Sequence, residues 1–227
     1  MSQTICNLPD VDIYLLYYLD IKSLFSLASI SKGEYKLLRD LDFMKELWIL
    51  KVQTIRISSM INLAAEYGFL SLIKWIHESI NKFHNIECPI FFAAQFGHII
   101  ILEWFKNNNY AIIYTHEAID SASENNHISV LEWFKNNSFK LDYSFYAIDR
   151  AAANNHIRIL EWFKNNNFEF KYSYDAIDRA AANNHISVLE WFKNSNYEFK
   201  YSYRAMDRAA QNRHILVLEW FIANGFA

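Results

Sequence analysis

The feature that most limits how this chain can fold is a period. Trp75, Trp104, Trp133, Trp162, Trp191 and Trp220 fall 29 residues apart without a slip. Ala64, Ala93, Ala122, Ala151, Ala180 and Ala209 keep the same spacing. So do His98, His127, His156, His185 and His214, with Phe69 in the first unit. Glu103, Glu132, Glu161, Glu190 and Glu219 form a further column, headed by Lys74. Several residue types sharing one period over six units mean one supersecondary unit repeated. Such a unit buries its apolar face only by stacking on its neighbours.

Each unit reads as two short helices. Over residues 127–135, Ile128, Val130, Leu131, Trp133 and Phe134 cover more than half of a helical wheel, leaving Ser129 and Glu132 in the remaining sector. So wide an apolar arc predicts a helix touched by neighbours on several sides. The other helix, about residues 147–153, carries Ala147, Ile148, Ala151 and Ala152 on one side, and small side chains let helices approach closely. Thr115, Ser144, Ser173 and Ser202 precede four of these helices as N-caps. Gly68, Gly97, Asn126, Asn155 and Asn184 occupy one column between the helices, where Arg213 is the exception. Asn109, Ser138, Asn167, Asn196 and Gly225 form a C-cap column after the second helix. Gly and Asn are the residues that tolerate the left-handed conformation such turns need.

Composition agrees with a helical chain. The 227 residues are 52% hydrophobic yet include only 4 Gly and 2 Pro, too few for the tight turns of a sandwich or barrel. A formal charge of −3 argues against nucleic acid as a partner. Cys6 and Cys88 make no disulfide framework, which fits a reducing compartment. No apolar run is long enough for a membrane span, and the N-terminus has no signal-peptide pattern. The expectation is a cytoplasmic monomer without cofactor.

The stretch Ala93-Ala94-Gln95-Phe96-Gly97-His98, and the closing Asn224-Gly225-Phe226, resemble the core and the final turn of ankyrin repeats. That resemblance covers residues 58–227 and implies an all-α, ankyrin-type solenoid of six repeats. The unit is shorter than the usual ankyrin length of about 33 residues. The shortfall lies in the segment between repeats, near 139–144, so the hairpin fingers are expected to shrink to loops. Compact, Asn-rich arrays of this kind are similar to those of giant DNA viruses, which would place the protein in a host cytoplasm among host proteins.

Ahead of the array, residues 1–57 begin Leu8-Pro9 and continue with an apolar helical pattern. The segment resembles an F-box, the small helical motif that docks on the Skp-type adaptor of cullin–RING ubiquitin ligases. By that resemblance the adaptor would meet Leu8, Pro9, Leu15, Leu16, Leu19, Leu24, Leu27 and Ile30. The other reading is a helical cap covering the first repeat, which any solenoid needs.

The repeated polar residues do not read as an active site. Histidines one per repeat, on helices stacked about 8–10 Å apart, cannot converge on one ion at bonds of about 2 Å, so a turn histidine bonded to backbone is expected. The tryptophans read as core. Asp120, Asp149, Asp178 and Asp207, followed by Arg150, Arg179 and Arg208, have surroundings too alike to split two pKa values for acid–base work. They read as inter-repeat polar contacts. Phosphate loops, nucleophile elbows and zinc motifs are absent, and no enzyme is expected.

The loops between repeats are rich in aromatics. Tyr143, Tyr172, Tyr201, Phe170 and Phe199, with Lys171 and Lys200, are the expected target-binding set, because loop residues on a rigid scaffold are the usual recognition elements. The functional expectation is a protein-interaction scaffold that recruits substrates to an SCF-type ubiquitin ligase. The alternative is a plain scaffold that sequesters or bridges host proteins.

Overall fold

The computed structural model describes residues 57–80, 83 and 87–226. The F-box-like positions Leu8, Pro9, Leu15, Leu16, Leu19, Leu24, Leu27 and Ile30 lie outside the described residues. The chain divides into two compact units, Met1–Asn85 and Ile86–Ala227. In the first, helices α1 (Ile57–Tyr67) and α2 (Leu70–Ile80) form the first repeat's hairpin. The turn between them holds Gly68 at a φ of 78°.

The second unit is five further hairpins. Its helices are α3 (Glu87–Gln95), α4 (Ile99–Asn107), α5 (His116–Glu124), α6 (Ile128–Asn136) and α7 (Tyr146–Ala153). They continue with α8 (Ile157–Asn165), α9 (Asp175–Ala182), α10 (Ile186–Asn194), α11 (Tyr203–Gln211) and α12 (Ile215–Ala223). The odd-numbered member of each pair is the repeat's first helix. All described elements are helices, and the segments between repeats are loops with no strand among the described residues.

Both turn columns take the conformation their residue types predict. Asn126, Asn155 and Asn184 lie at φ of 61°, 59° and 62°, and Arg213 is forced to 59° with them. After the second helices, Asn109, Ser138, Asn167, Asn196 and Gly225 are left-handed as well. At Gly97 the space is also closed, because a Cβ there would meet the His127 ring at 2.7 Å.

Two boundaries differ from the sequence reading. The second helices start one residue later, at Ile128 and its counterparts, because the histidine N–H turns back to close the first helix (His127 N–H to the Ala122 carbonyl, 2.9 Å). Helices α7 and α9 begin two residues after their serine, at Tyr146 and Asp175, with Phe145 and Tyr174 at the N-cap in helical backbone. The serines cap nonetheless: the Ser144 and Ser173 hydroxyls accept the Tyr146 and Asp175 N–H at 3.1 Å. Thr115 stands at the N-cap of α5 but makes no side-chain cap bond.

The core has two layers. Ala147, Ile148, Ala151 and Ala152 are fully buried, as are their counterparts in α9, and first helices of adjacent repeats pack closely through these small side chains. The second helices bury Phe105, Phe134, Phe163, Phe192 and Phe221 completely. Those larger groups hold the second helices further apart, so the first helices line the tighter side of the unit.

Candidate functional site

The joint between two repeats accounts for most of the repeated polar residues. Asp120, Asp149 and Asp178 are almost wholly buried on the first helices. Each carboxylate accepts the backbone N–H and the hydroxyl of the serine that caps the next repeat. Ser144 N–H reaches Asp120 at 3.0 Å, Ser173 N–H reaches Asp149 at 2.9 Å and Ser202 N–H reaches Asp178 at 2.8 Å. The three serine hydroxyls donate to the second carboxylate oxygens. Burial pushes the Asp120 and Asp149 carboxyls up, against the pull of the serine bonds. The aspartates therefore fix the register of one repeat on the next, which is the polar role their column implied.

A second bond of each joint was not anticipated. Asn154, Asn183 and Asn212 donate side-chain N–H to the carbonyls of Glu124, Ala153 and Ala182, at 3.0, 2.8 and 2.8 Å. The sequence shows this column one place before the left-handed Asn, but as an unremarkable helix-end Asn. The histidines do what a turn histidine should. His127, His156 and His185 donate to the carbonyls of Gln95, Glu124 and Ala153, and burial holds all three below the ordinary histidine value. Among the described residues no group of His, Cys, Asp and Glu is placed to hold a metal ion.

The second-helix layer has its own joint. Trp133 donates its indole N–H to Glu103 at 2.6 Å, and Trp162 and Trp220 do the same to Glu132 and Glu190. That bond, above all, holds the Glu103 carboxyl below the usual carboxylate range. Lys106, Lys135 and Lys193 reach the side-chain oxygens of Asn137, Asn166 and Asn224 in the following repeat. Trp133, Trp162 and Trp220 are buried, while Trp75, Trp104 and Trp191 are half-buried, so the column lies at the margin of the core.

The loop aromatics are placed in one strip and are heavily used inside the chain. Tyr143 is 6% exposed, and its hydroxyl donates to the Glu169 carbonyl at 2.6 Å. The Tyr172 and Tyr201 hydroxyls donate to the Glu198 and Phe226 carbonyls. Burial, with nearby carboxylates, pushes Tyr143 and Tyr172 up to about 12, so these hydroxyls remain donors. Phe170 stacks on Tyr197 (4.2 Å between centroids, 11°) and Phe199 on Phe226 (4.4 Å, 18°). Lys171 and Lys200 lie over the Tyr143 and Tyr172 rings at 5.0 and 4.7 Å and pair with Glu169 and Glu198. The seven residues thus fall into neighbouring groups, Tyr143 with Lys171, Phe170 with Tyr172 and Lys200, and Phe199 with Tyr201, and the tyrosine hydroxyls are used in loop closure.

What stands free is the outer side of the first helices. Phe145, Tyr174 and Tyr203 share one column, and Tyr174 and Tyr203 are 59% and 74% exposed. One neighbouring column on the same side differs in every repeat, Glu117, Tyr146, Asp175 and Arg204, while another is Arg150, Arg179 and Arg208 with Ser121 as its exception. Sequence reasoning passed over the aromatic column because it directly follows the serine caps and so reads as part of the loop. The available signal was the change beside it, from Glu117 to Tyr146, Asp175 and Arg204, inside an otherwise near-identical unit.

This is the geometry of an all-helical repeat protein whose constant residues join repeats and whose varying residues face outward. No family model matches the chain, and no curated protein matches its sequence. Among the described residues, no helix is long and apolar enough to cross a membrane.

Proposed function

We propose that this chain is an ankyrin-type protein-binding scaffold, and that its first fifty-seven residues act as an F-box that presents the bound target to a ubiquitin ligase. One observation supports the scaffold reading above the rest. The buried polar side chains that recur from repeat to repeat are spent on joints, while the first helices expose aromatic and charged groups, one column of which (Glu117, Tyr146, Asp175, Arg204) changes with every repeat. A surface that varies on a constant frame suits recognition of another macromolecule. The loop residues Tyr172, Tyr201, Phe170, Phe199, Lys171 and Lys200 form the edge of that surface in this reading, with Tyr143 buried under Lys171 as their support, and the exposed aromatics of the first helices extend it.

The ubiquitin part rests on Leu8-Pro9 and the apolar pattern through Ile30. Capture of a purified Skp-type adaptor by the full chain, compared with a Leu8→Ala/Pro9→Ala variant, tests it. Capture by the wild type and at least about tenfold less by the variant supports the F-box; equally negligible capture by both leaves a plain scaffold. The target side is tested by proximity labelling in the native cell with wild type and Tyr174→Ala/Tyr203→Ala. Enrichment of a protein that the double variant no longer labels is the expected result, and identical labelling counts against the first-helix surface.

A further inference from the structure

The first helix of the third repeat, α5, departs from its neighbours on the free side. It has Ser121 where the next three repeats have Arg150, Arg179 and Arg208, and Glu117 where they have Tyr146, Asp175 and Arg204. An open groove of about 360 Å³ lies at this point. Phe91 and Gln95 of α3 form one wall, Glu117 and Ser121 of α5 the floor, and Tyr146 of α7 the other wall.

Arg179 turns to Asp175 on its own helix at 3.0 Å, whereas Arg150 crosses to the preceding repeat. Its Nη1 reaches back to Glu124 on the preceding first helix at 2.7 Å, and its Cζ lies 4.8 Å from the Tyr146 ring centroid. One repeat earlier the equivalent of Glu124 is Gln95 and the equivalent of Tyr146 is Glu117. Both are acceptors, and the arginine between them is missing. Ser121 is only 6% exposed, and its hydroxyl has no hydrogen-bond partner among the described residues. A hydroxyl without a protein partner at the floor of an open groove is available to bond a ligand.

The charge of the groove has one sign to offer. Glu117, Asp120 and Glu124 line it together with His116 and Arg150. Arg150 is bonded to Glu124, and Asp120 is bonded to Ser144. Glu117 has no ion-pair partner among the described residues. A planar cation that donates to several acceptors and lies against aromatic rings matches this lining better than a compact ammonium does.

We propose that the groove between α3, α5 and α7 receives an arginine side chain from an extended segment of a partner protein, in a slot equivalent to the one that Arg150 fills in the next repeat. This rests on the scaffold reading and names the chemistry of its partner. The guest guanidinium donates to Glu117 and Gln95 and bonds the Ser121 hydroxyl, with Phe91 and Tyr146 on either side.

The test is an amide-shift titration of the isotopically labelled full chain with acetyl-Gly-Ser-Arg-Ser-Gly-amide, repeated with citrulline in place of the arginine. Saturable shifts at Glu117, Ser121 and Tyr146, at least about tenfold weaker for the uncharged citrulline peptide, are expected. Ser121→Arg places the side chain that three other repeats already accommodate, so the variant keeps its fold and should lose the peptide by about tenfold or more. Equal responses to the two peptides, no saturable shift, or full binding by Ser121→Arg would overturn the assignment. Unchanged labelling of a protein target by Ser121→Arg would likewise sink this inference while leaving the scaffold proposal standing.

Discussion

Two joints of the second unit differ at the residue that follows the second helix, and the difference separates what the array needs from what it tolerates. Between the third and fourth repeats, Lys135 reaches Asn166, Asn166 caps the Trp162 carbonyl at 2.8 Å, and Trp162 donates to Glu132. Between the fourth and fifth, the residue in the Asn166 column is Ser195, whose short hydroxyl turns back to the Phe192 carbonyl at 2.9 Å. Lys164 loses its acceptor and lies over the Trp191 ring at 5.7 Å instead. Trp191 in turn stacks on Phe170 at 5.5 Å and 30°. The buried bonds of the first-helix layer persist in the same joint: Asp149 still binds Ser173, and Asn183 still binds the Ala153 carbonyl. The buried layer sets register, and the more exposed layer adapts.

Breaking the buried layer should therefore cost most. Asp149→Ala leaves the Ser173 N–H and hydroxyl without their carboxylate, and a loss of about 2–3 kcal/mol in denaturant unfolding is expected. Glu132→Gln in the exposed layer should cost less than about 1 kcal/mol, because its partner indole keeps an acceptor. Equal losses from the two would end the distinction. Tyr143→Phe removes one buried hydroxyl bond and should cost about 1 kcal/mol, which thermal unfolding measures.

Acidification probes the same layer. The folded-state values of His127, His156 and His185 are lowered by burial. Their contribution is complete above the unfolded value of 6.5 and is lost as pH falls through the lowered folded values. Asp120 and Asp149 are raised and act in the opposite sense: they bind protons more tightly when folded, an effect complete only below 3.8. The melting temperature should therefore fall between about pH 7.5 and pH 5.5, with a shallower slope in a His127→Asn/His156→Asn/His185→Asn variant. An unchanged slope there contradicts the assignment.

The smallest effects sharpen the comparison in the other direction. Ser195→Asn restores the acceptor for Lys164 and should add about 0.5–1 kcal/mol. Arg213→Gly relieves the left-handed backbone at φ 59°. Its gain should stay under about 1 kcal/mol, since glycine also loosens the unfolded chain.

Much of this array was legible before any coordinates. The period located every repeat, and the Gly and Asn columns named the left-handed turns, because only those backbone positions demand such residues. The alanine faces and the histidine-to-backbone role followed from spacing alone. The loop tyrosines were harder to read. Tyr143, Tyr172 and Tyr201 look like interface residues in sequence, yet their hydroxyls close neighbouring loops 25 or 26 residues away.

Periodicity thus determined the unit, its two helices and its turns, since each depends on residues within a few positions of one another. Tertiary structure decided the pairings: Asp149 with the serine 24 residues on, Asn183 with a carbonyl 30 residues back. It also decided which aromatics close loops and which face outward, and that the absent arginine at Ser121 leaves an open, acidic groove. A pattern records that a residue recurs. The partner it meets depends on how far one helix is displaced against the next, and packing of the alanine and phenylalanine layers sets that displacement.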